Sequence, residues 1–330
     1  MKAARIHAYG PPDVLVVEEV PRPEPGPNDV LVEVYASSVN PVDCKIRSGG
    51  QRGIIHYRLP WILGLDVSGV VVEVGSAVKG FAPGDAVWAS PTHRRPGCYA
   101  EYVALDASVV AHKPANLSHV EAAGLPLVGL TVWQSMKGRV DPGDEVLVLA
   151  GSGGVGTVAI QVAKHLGARV TTTTSAHNEA LVRSLGADRV IDYREHDVWS
   201  EVSDLDYVLV TLGGGERDKA LDAVKRGGTV VSLTEDLPAL THRHGPVIGT
   251  VVTGLNMARF SIRGRLRGRR VAHVMRTPEA RGMAKLTELC EAGVLQPVVD
   301  RVFALDDIVE AHRHSEAGHA AGKIAIQVRQ

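Results

Sequence analysis

The run from 146 to 156, "VLVLAGSGGVG", limits what this chain can fold into more than any other stretch. A segment of apolar β-formers ends in G-x-G-x-x-G, and a helical pattern begins at once. Those glycines have a physical purpose only where a strand turns into a helix inside a βαβ unit. Gly151 allows a sharp turn, Gly153 lets backbone N–H groups approach a pyrophosphate, and Gly156 lets helix and strand pack closely. Ser152, Gly154 and Val155 complete the cradle. The helix N-terminus adds its unpaired N–H groups and the positive end of its dipole, which favour an anion. The expected ligand is a dinucleotide.

Around this turn the chain alternates between two periods. Strand-like "EVLVLA", "ARVTTT", "RVIDY", "LDYVLVTL" and "TVVSL" are separated by helical "VGTVAIQVAKHLG", "HNEALVRSLG" and "ERDKALDAVKRGG". Such alternation predicts an α/β fold, a doubly wound parallel sheet with right-handed crossovers. Residues 1 to about 117 are β-rich instead: "DVLVEVYASSVN" alternates at period two, and "VSGVVVEVG", "GDAVWAS" and "CYAEYVAL" lie between Gly, Pro and Asp punctuation. Ser118 followed by Glu121 is a capping box opening a helix through "LPLVGLTVWQSMKG". Periodicity thins out between 235 and 270. It resumes as the helix "PEARGMAKLTELCEAG", then "PVVDRVFAL", "DDIVEAHRHSEAG" and the strand "KIAIQVR".

The chain is 330 residues long, enough for two cores, and its formal net charge of −1 creates no global field for nucleic acid or anionic lipid. Its three cysteines include no CxxC pair, which fits a reducing compartment. "MKAARIHAYGPP" has no signal-peptide core, and no segment reaches the ~20 apolar residues of a membrane span. The expectation is a soluble cytoplasmic protein with no membrane association.

An NAD-selective site places an acid about 20 residues past the turn, on the ribose hydroxyls. Here that position falls on Thr174 and Ser175, with His177 nearby. Neutral hydroxyls accept a 2′-phosphate that a carboxylate would repel, so the expected cofactor is NADPH.

These motifs, with "VNPVD", "GLTVWQSM", "SLGADRVIDYRE" and "GKIAIQV", resemble the zinc-independent medium-chain dehydrogenase/reductases, above all the NADPH:quinone oxidoreductases of the zeta-crystallin type and the enoyl reductases. The resemblance covers nearly the whole chain. It implies a GroES-like substrate domain over 1–120, a Rossmann NADP-binding domain over 121–296, and a return of 297–330 to the first domain, with the active site in the cleft between them. Zinc-dependent relatives carry a ligating Cys where this chain has Asn40, and Gly-His-Glu where it has Gly64-Leu65-Asp66. Leu65 cannot bind zinc, and no metal is expected. The implied chemistry is hydride transfer to a quinone or an α,β-unsaturated carbonyl, with hydrogen-bond donors holding the developing oxyanion.

By the same resemblance, Asn40 and Thr131 lie beside the nicotinamide or its ribose. Thr211, Leu212 and Leu233 flank that ring, Lys323 is near the cofactor, and Tyr193 lies against the 2′-phosphate end. Two departures stand out. Asn178 occupies a place where such reductases often have a Lys, leaving His177 or Arg183 to substitute. The stretch 51–64 lacks the usual Tyr-Pro, making Tyr57 the nearest candidate proton donor, with solvent as the alternative; Asp43 is a catalytic candidate or only a brace for the loop after Asn40. A homodimer through "VAHVM" is implied. His242, His244, His312, His314 and His319 are read as non-ligating, and the arginines between 259 and 270 as a solvated element without nucleic-acid binding. Two alternatives remain open: a dedicated enoyl-thioester or natural-product enoyl reductase, and an NADPH sensor or RNA-binding crystallin-like protein.

Overall fold

The computed structural model describes residues 1–95, 97–213, 215–233 and 236–329. Two compact units emerge, Met1–Leu130 with Thr277–Gln330, and Thr131–Arg276.

The first unit contains β1 (Lys2–Ile6), β2 (Leu15–Glu19), β3 (Asp29–Val39), α1 (Pro41–Arg47), β4 (Trp61–Ile62), β5 (Val67–Val74), β6 (Ala86–Ala89), β7 (Tyr102–Asp106), β8 (Val110–His112) and α2 (His119–Ala123). The capping box at Ser118 and Glu121 is formed in both directions. The helix does not run on from it: Gly124 ends α2, and α3 (Pro126–Met136) restarts at a proline, which needs no N–H partner in a first turn.

The second unit follows with β9 (Glu145–Val148), α4 (Gly154–His165), β10 (Arg169–Thr174), α5 (Glu179–Ser184), β11 (Arg189–Asp192), β12 (Leu205–Val210), α6 (Glu216–Ala223), β13 (Val224–Ser232), α7 (Leu237–His244), α8 (Pro246–Leu266) and β14 (Arg270–His273). Its strands pair in parallel in the order β11-β10-β9-β12-β13-β14. The chain reverses its winding between β9 and β12, and the glycine turn leaves β9 at that switch point, where α/β sheets bind ligands. Val146, Leu147 and Val148 of β9 are fully buried. Each stabilises the sheet by about 1.5–3 kcal/mol, which anchors the turn that follows. Two expectations are corrected here. The helix expected over 216–228 ends at Ala223, and "VKRGG" is drawn into β13. The aperiodic stretch 235–270 holds the longest helix among the described residues, the 21-residue α8.

The chain then returns to the first unit through α9 (Ala280–Glu291), β15 (Val299–Ala304), α10 (Ile308–Ala317) and β16 (Lys323–Gln327). β16 pairs antiparallel with β3, from Ile324↔Val39 to Gln327↔Ala36. The boundaries fall at 130 and 276 because the flanking segments are tied into this unit. Leu127 N donates to Asp66 at 2.7 Å, and Trp88 Nε1 donates to Thr287 of α9 at 3.1 Å.

Candidate active site

In the first unit, the residues that the sequence singles out gather into one buried polar cluster. Asn40 is the N-cap of α1, and Asp43 is the third residue of that helix; Asp43 Oδ2 accepts from Asn40 N at 2.9 Å and from Asn40 Nδ2 at 3.2 Å. Asn40 Nδ2 also donates to Asp66 Oδ2 at 2.8 Å, and its Oδ1 accepts from Lys323 Nζ. Every hydrogen-bonding atom of the Asn40 amide group is thus engaged within the protein.

Asp66 is the hub of this cluster. It takes Ser38 Oγ at 2.6 Å and Leu127 N at 2.7 Å, and lies 3.7 Å from the Lys323 ammonium. Asn40, Ser38 and Asp66 are fully buried, and Asp43 and Lys323 nearly so. Burial drives Asp43 up to about 7, with the Asp66 carboxylate adding to the rise. Burial also lowers Lys323, against the pull of Asp66 and Asp43. Lys323, which the resemblance puts near the cofactor, has its ammonium turned onto Asn40 and the Val39 carbonyl. Tyr57 is buried against Trp61, with ring centroids 5.0 Å apart, and its hydroxyl donates to His93 O at 2.5 Å. Burial raises its pKa further, away from a proton-transfer role at neutral pH.

The second unit holds the cofactor turn. Gly153 is the N-cap of α4. A Cβ on Gly156 would lie 2.2 Å from Ala150 O, and one on Gly151 would lie 2.0 Å from Thr172 Oγ1. The sharp bend expected at Gly151 is made by Ala150 instead, at φ +53°; Gly151 is required because Thr172 approaches it. At the end of β10, Thr174 Oγ1 donates to Ser152 Oγ at 2.9 Å, and Asn178 Nδ2 donates to the same oxygen at 3.3 Å. The first glycine-turn hydroxyl and the hydroxyl end of the strand therefore form one polar group. His177 and Tyr193 are exposed beside it. Thr211 Oγ1 donates to Leu149 O at 2.8 Å, Leu233 N donates to Val210 O at 3.0 Å, and Leu212 is exposed on the same side of the sheet's carboxyl ends. Thr131 is half-buried in α3.

Two residues here escaped the sequence reading. Asp192 pairs with Thr174 across the sheet, but its oxygens accept from Ala176 N at 2.8 Å and Arg194 N at 2.9 Å, so the acid is spent on the turn. Arg194 lies over the Tyr193 ring, 5.8 Å from its centroid, with no carboxylate partner among the described residues. The signal was present in "IDYRE", as a cation one residue past the tyrosine.

Residues 26–115 match the model described as "Alcohol dehydrogenase GroES-like domain", and residues 185–326 match "Zinc-binding dehydrogenase". A tomato (Solanum lycopersicum) protein named 2-methylene-furan-3-one reductase is 37% identical over 338 residues, covering 99% of this chain and 79% of that one. The chain belongs to the medium-chain dehydrogenase/reductase family, in its zinc-independent quinone oxidoreductase branch. A mouse (Mus musculus) mitochondrial NAD(P)H oxidoreductase, RTN4IP1, is 37% identical over 325 residues, covering 92% of this chain and 82% of its own. The Escherichia coli quinone oxidoreductase solved in complex with NADPH superposes with a TM-score of 0.82 at 27% identity, covering 99% of this chain and 100% of the other.

The zinc in one family description does not suit these residues. Leu65 has no ligating atom, and the Asn40 amide is occupied by Asp43, Asp66 and Lys323.

Behind the cluster, His312 of α10 is fully buried, and its Nδ1 accepts from Arg47 at 3.3 Å. Nε2 then carries the proton and has no partner among the described residues. Burial, then the Arg47 charge, hold this imidazole down to about 3, against an ordinary 6.5. The folded state therefore refuses a proton that the unfolded chain accepts below 6.5, and stability falls as pH drops from there toward 3. Asp43 works in the opposite sense. Raised to about 7, it releases its proton later than the unfolded chain does, and its contribution is lost as pH rises from 3.8 toward 7. His312→Asn isolates the first effect. Between pH 6 and 4, the unfolding free energy of the wild type relative to the variant is expected to fall by up to about 1.4 kcal/mol per pH unit. Denaturant titrations at several pH values measure this; parallel pH profiles would contradict it.

Proposed function

We propose that this protein uses NADPH to reduce quinones or α,β-unsaturated carbonyls without a metal. The observation that carries the reading is the joining of the glycine turn to a neutral hydroxyl group at the end of β10, through Ser152 and Thr174. When bound, the reduced nicotinamide supplies the hydride. Backbone N–H groups at Gly154–Gly156 would hold the pyrophosphate, with Gly153 letting it approach, and Ser152, Thr174, Ser175, His177 and Asn178 the 2′-phosphate. Arg194 takes the cationic role that Asn178 cannot fill, with Tyr193 as its platform.

Asn40 acts in this reading as a positioning residue. Its amide is fully committed to Asp43, Asp66 and Lys323, so it holds the β3–α1 junction in shape and leaves no N–H for a substrate oxyanion. Tyr57 likewise spends its only O–H on His93 O. With both side chains committed, solvent delivers the proton that follows hydride transfer.

The names of the tomato and Escherichia coli relatives support the two acceptor classes, an enone and a quinone. The dedicated thioester reductase is separated from this reading by comparing acyl-thioester and free enone turnover. Cys44, Cys98 and Cys290 are free and buried, which supports a reducing compartment, whether the cytosol or an organelle matrix. A homodimer through the edge strand β14 is part of the proposal, and light scattering reads it directly.

Cofactor preference tests the reading. Ser175 is 8% exposed at the end of β10. Ser175→Asp is expected to lower kcat/KM for NADPH at least about tenfold while sparing NADH, since like charges in contact cost several kcal/mol. Steady-state kinetics with both cofactors checks this; an equal fall for both would sink the assignment of the 2′-phosphate site.

A further inference from the structure

The face of α8 that points furthest from the second unit is apolar. Its inner side is fixed: Gly249, Thr253, Phe260 and Gly264 are buried, and a Cβ on Gly249 would lie 2.7 Å from Thr241 N. At about 100° per residue, the opposite side carries Val251, Leu255, Ala258 and Ile262 in one stripe, with Ile248 and Leu266 on its flank. Val247, Ile248, Val251, Leu255, Ile262 and Leu266 are 54–81% exposed. A continuous apolar stripe on a firmly seated helix is an interaction surface.

Charge identifies the occupant. Residues 237–278 contain eight arginines and no Asp or Glu. Arg263 pairs with Asp218, and Arg267 and Arg269 share Asp222. Arg243, Arg259 and Arg265 have no carboxylate partner among the described residues, and Arg259 and Arg265 lie on opposite flanks of the stripe. A recess of about 640 Å³ opens next to it, lined by Arg139, Arg265, Arg269, Arg270, Ser261 and Thr229, with no carboxylate in its wall. Arg269 Nε is buried there without a hydrogen-bond partner among the described residues. Arg265 belongs to both the flank and the recess. The recess lies toward the amino ends of the strands, near Gly138 and Gly268, away from the glycine turn at their carboxyl ends.

A second copy fits this face poorly. Two-fold self-association would set the unpaired arginines of one stripe against those of the other, with no acid between them. An apolar stripe flanked by cations instead complements an anionic bilayer surface, with side chains among the acyl chains and guanidinium groups on the phosphates. We propose that α8 docks this protein onto anionic membranes, with the arginine-lined recess receiving a lipid headgroup phosphate. No helix among the described residues is long and apolar enough to cross a membrane, so the contact is peripheral. This departs from the expectation of no membrane association, which rested on net charge and on the lack of a membrane span, and from the reading of the arginines between 259 and 270 as merely solvated.

Co-sedimentation of the full chain with vesicles tests the proposal and needs no turnover, so its failure is separate from any failure of the reductase assignment. Binding is expected to vesicles of phosphatidylcholine with phosphatidylserine, not to phosphatidylcholine alone, and to weaken with salt. Each surface arginine contributes about 1 kcal/mol, roughly fivefold in partitioning, so Arg259→Glu with Arg265→Glu is expected to lower binding at least tenfold. Leu255→Asp with Ile262→Asp is expected to abolish it while leaving NADPH affinity unchanged, which confirms folding. Absence of binding to anionic vesicles, or binding that both double variants retain, overturns the proposal. So does a wild-type dimer that Leu255→Asp with Ile262→Asp splits without any lipid binding, since the stripe would then belong to a second copy.

Discussion

Asp66→Leu is expected to lower the unfolding free energy by about 3–5 kcal/mol, the cost of stranding a buried charge. Four groups lose their acceptor or counter-charge at once: Ser38 Oγ, Asn40 Nδ2, Leu127 N and the Lys323 ammonium. Lys323 is the costliest. At 4% exposure it cannot reach water, Asn40 and Val39 offer it only neutral oxygens, and the Asp43 carboxyl, held up to about 7 by burial, is a weak substitute for Asp66. Since whole domains hold about 5–15 kcal/mol, a loss of this size removes a large share of the margin. Urea denaturation measures it. Combining Asp66→Leu with Lys323→Met is expected to recover part of the loss, because the second change removes the orphaned charge. A single-variant loss below about 1 kcal/mol, the value of an ordinary net hydrogen bond, would show that the cluster is not held together by this carboxylate.

The second large effect concerns cofactor affinity. Gly153 adopts φ −76° and ψ 168°, a conformation open to any residue. A Cβ there would meet nothing nearer than Ala150 O at 3.4 Å. Neither backbone strain nor internal packing therefore explains a glycine at this position; what remains is the approach of a ligand to the N-terminus of α4. Gly153→Ala is expected to weaken NADPH binding about 10- to 100-fold, the loss of one or two charge-assisted bonds, with little change in melting temperature. Gly156→Ala, whose Cβ would collide with Ala150 O, is expected to destabilise the fold itself. Calorimetric titration beside thermal melts separates the two. Unchanged NADPH affinity in Gly153→Ala would place the pyrophosphate elsewhere.

How legible each part was in the sequence follows from its physical range. The glycine turn could be read because its constraints are local: Gly151, Gly153 and Gly156 act within six residues of one another. The doubly wound parallel sheet followed from alternating periods. By contrast, α8 was hidden because its apolar stripe is its exposed side, while the side that packs inward carries Gly249, Thr253 and Gly264, the reverse of the pattern a seated helix usually shows. The stop of α6 at Ala223 was missed because "VKRGG" continues the charged helical pattern into a strand. The cluster at Asp66 was the least readable: it joins Ser38, Asn40, Asp43 and Lys323, and only folding brings Lys323 to a residue 283 positions away. Asn40 and Asp43 could be named from "VNPVD"; that Asp66 holds them could not.

The most direct test of the account follows NADPH oxidation with quinone and enone acceptors, before and after exhaustive chelation. The predicted result is turnover that chelation leaves unchanged and that is faster with NADPH than with NADH. Silence with every acceptor, or activity that chelation abolishes and zinc restores, would contradict it.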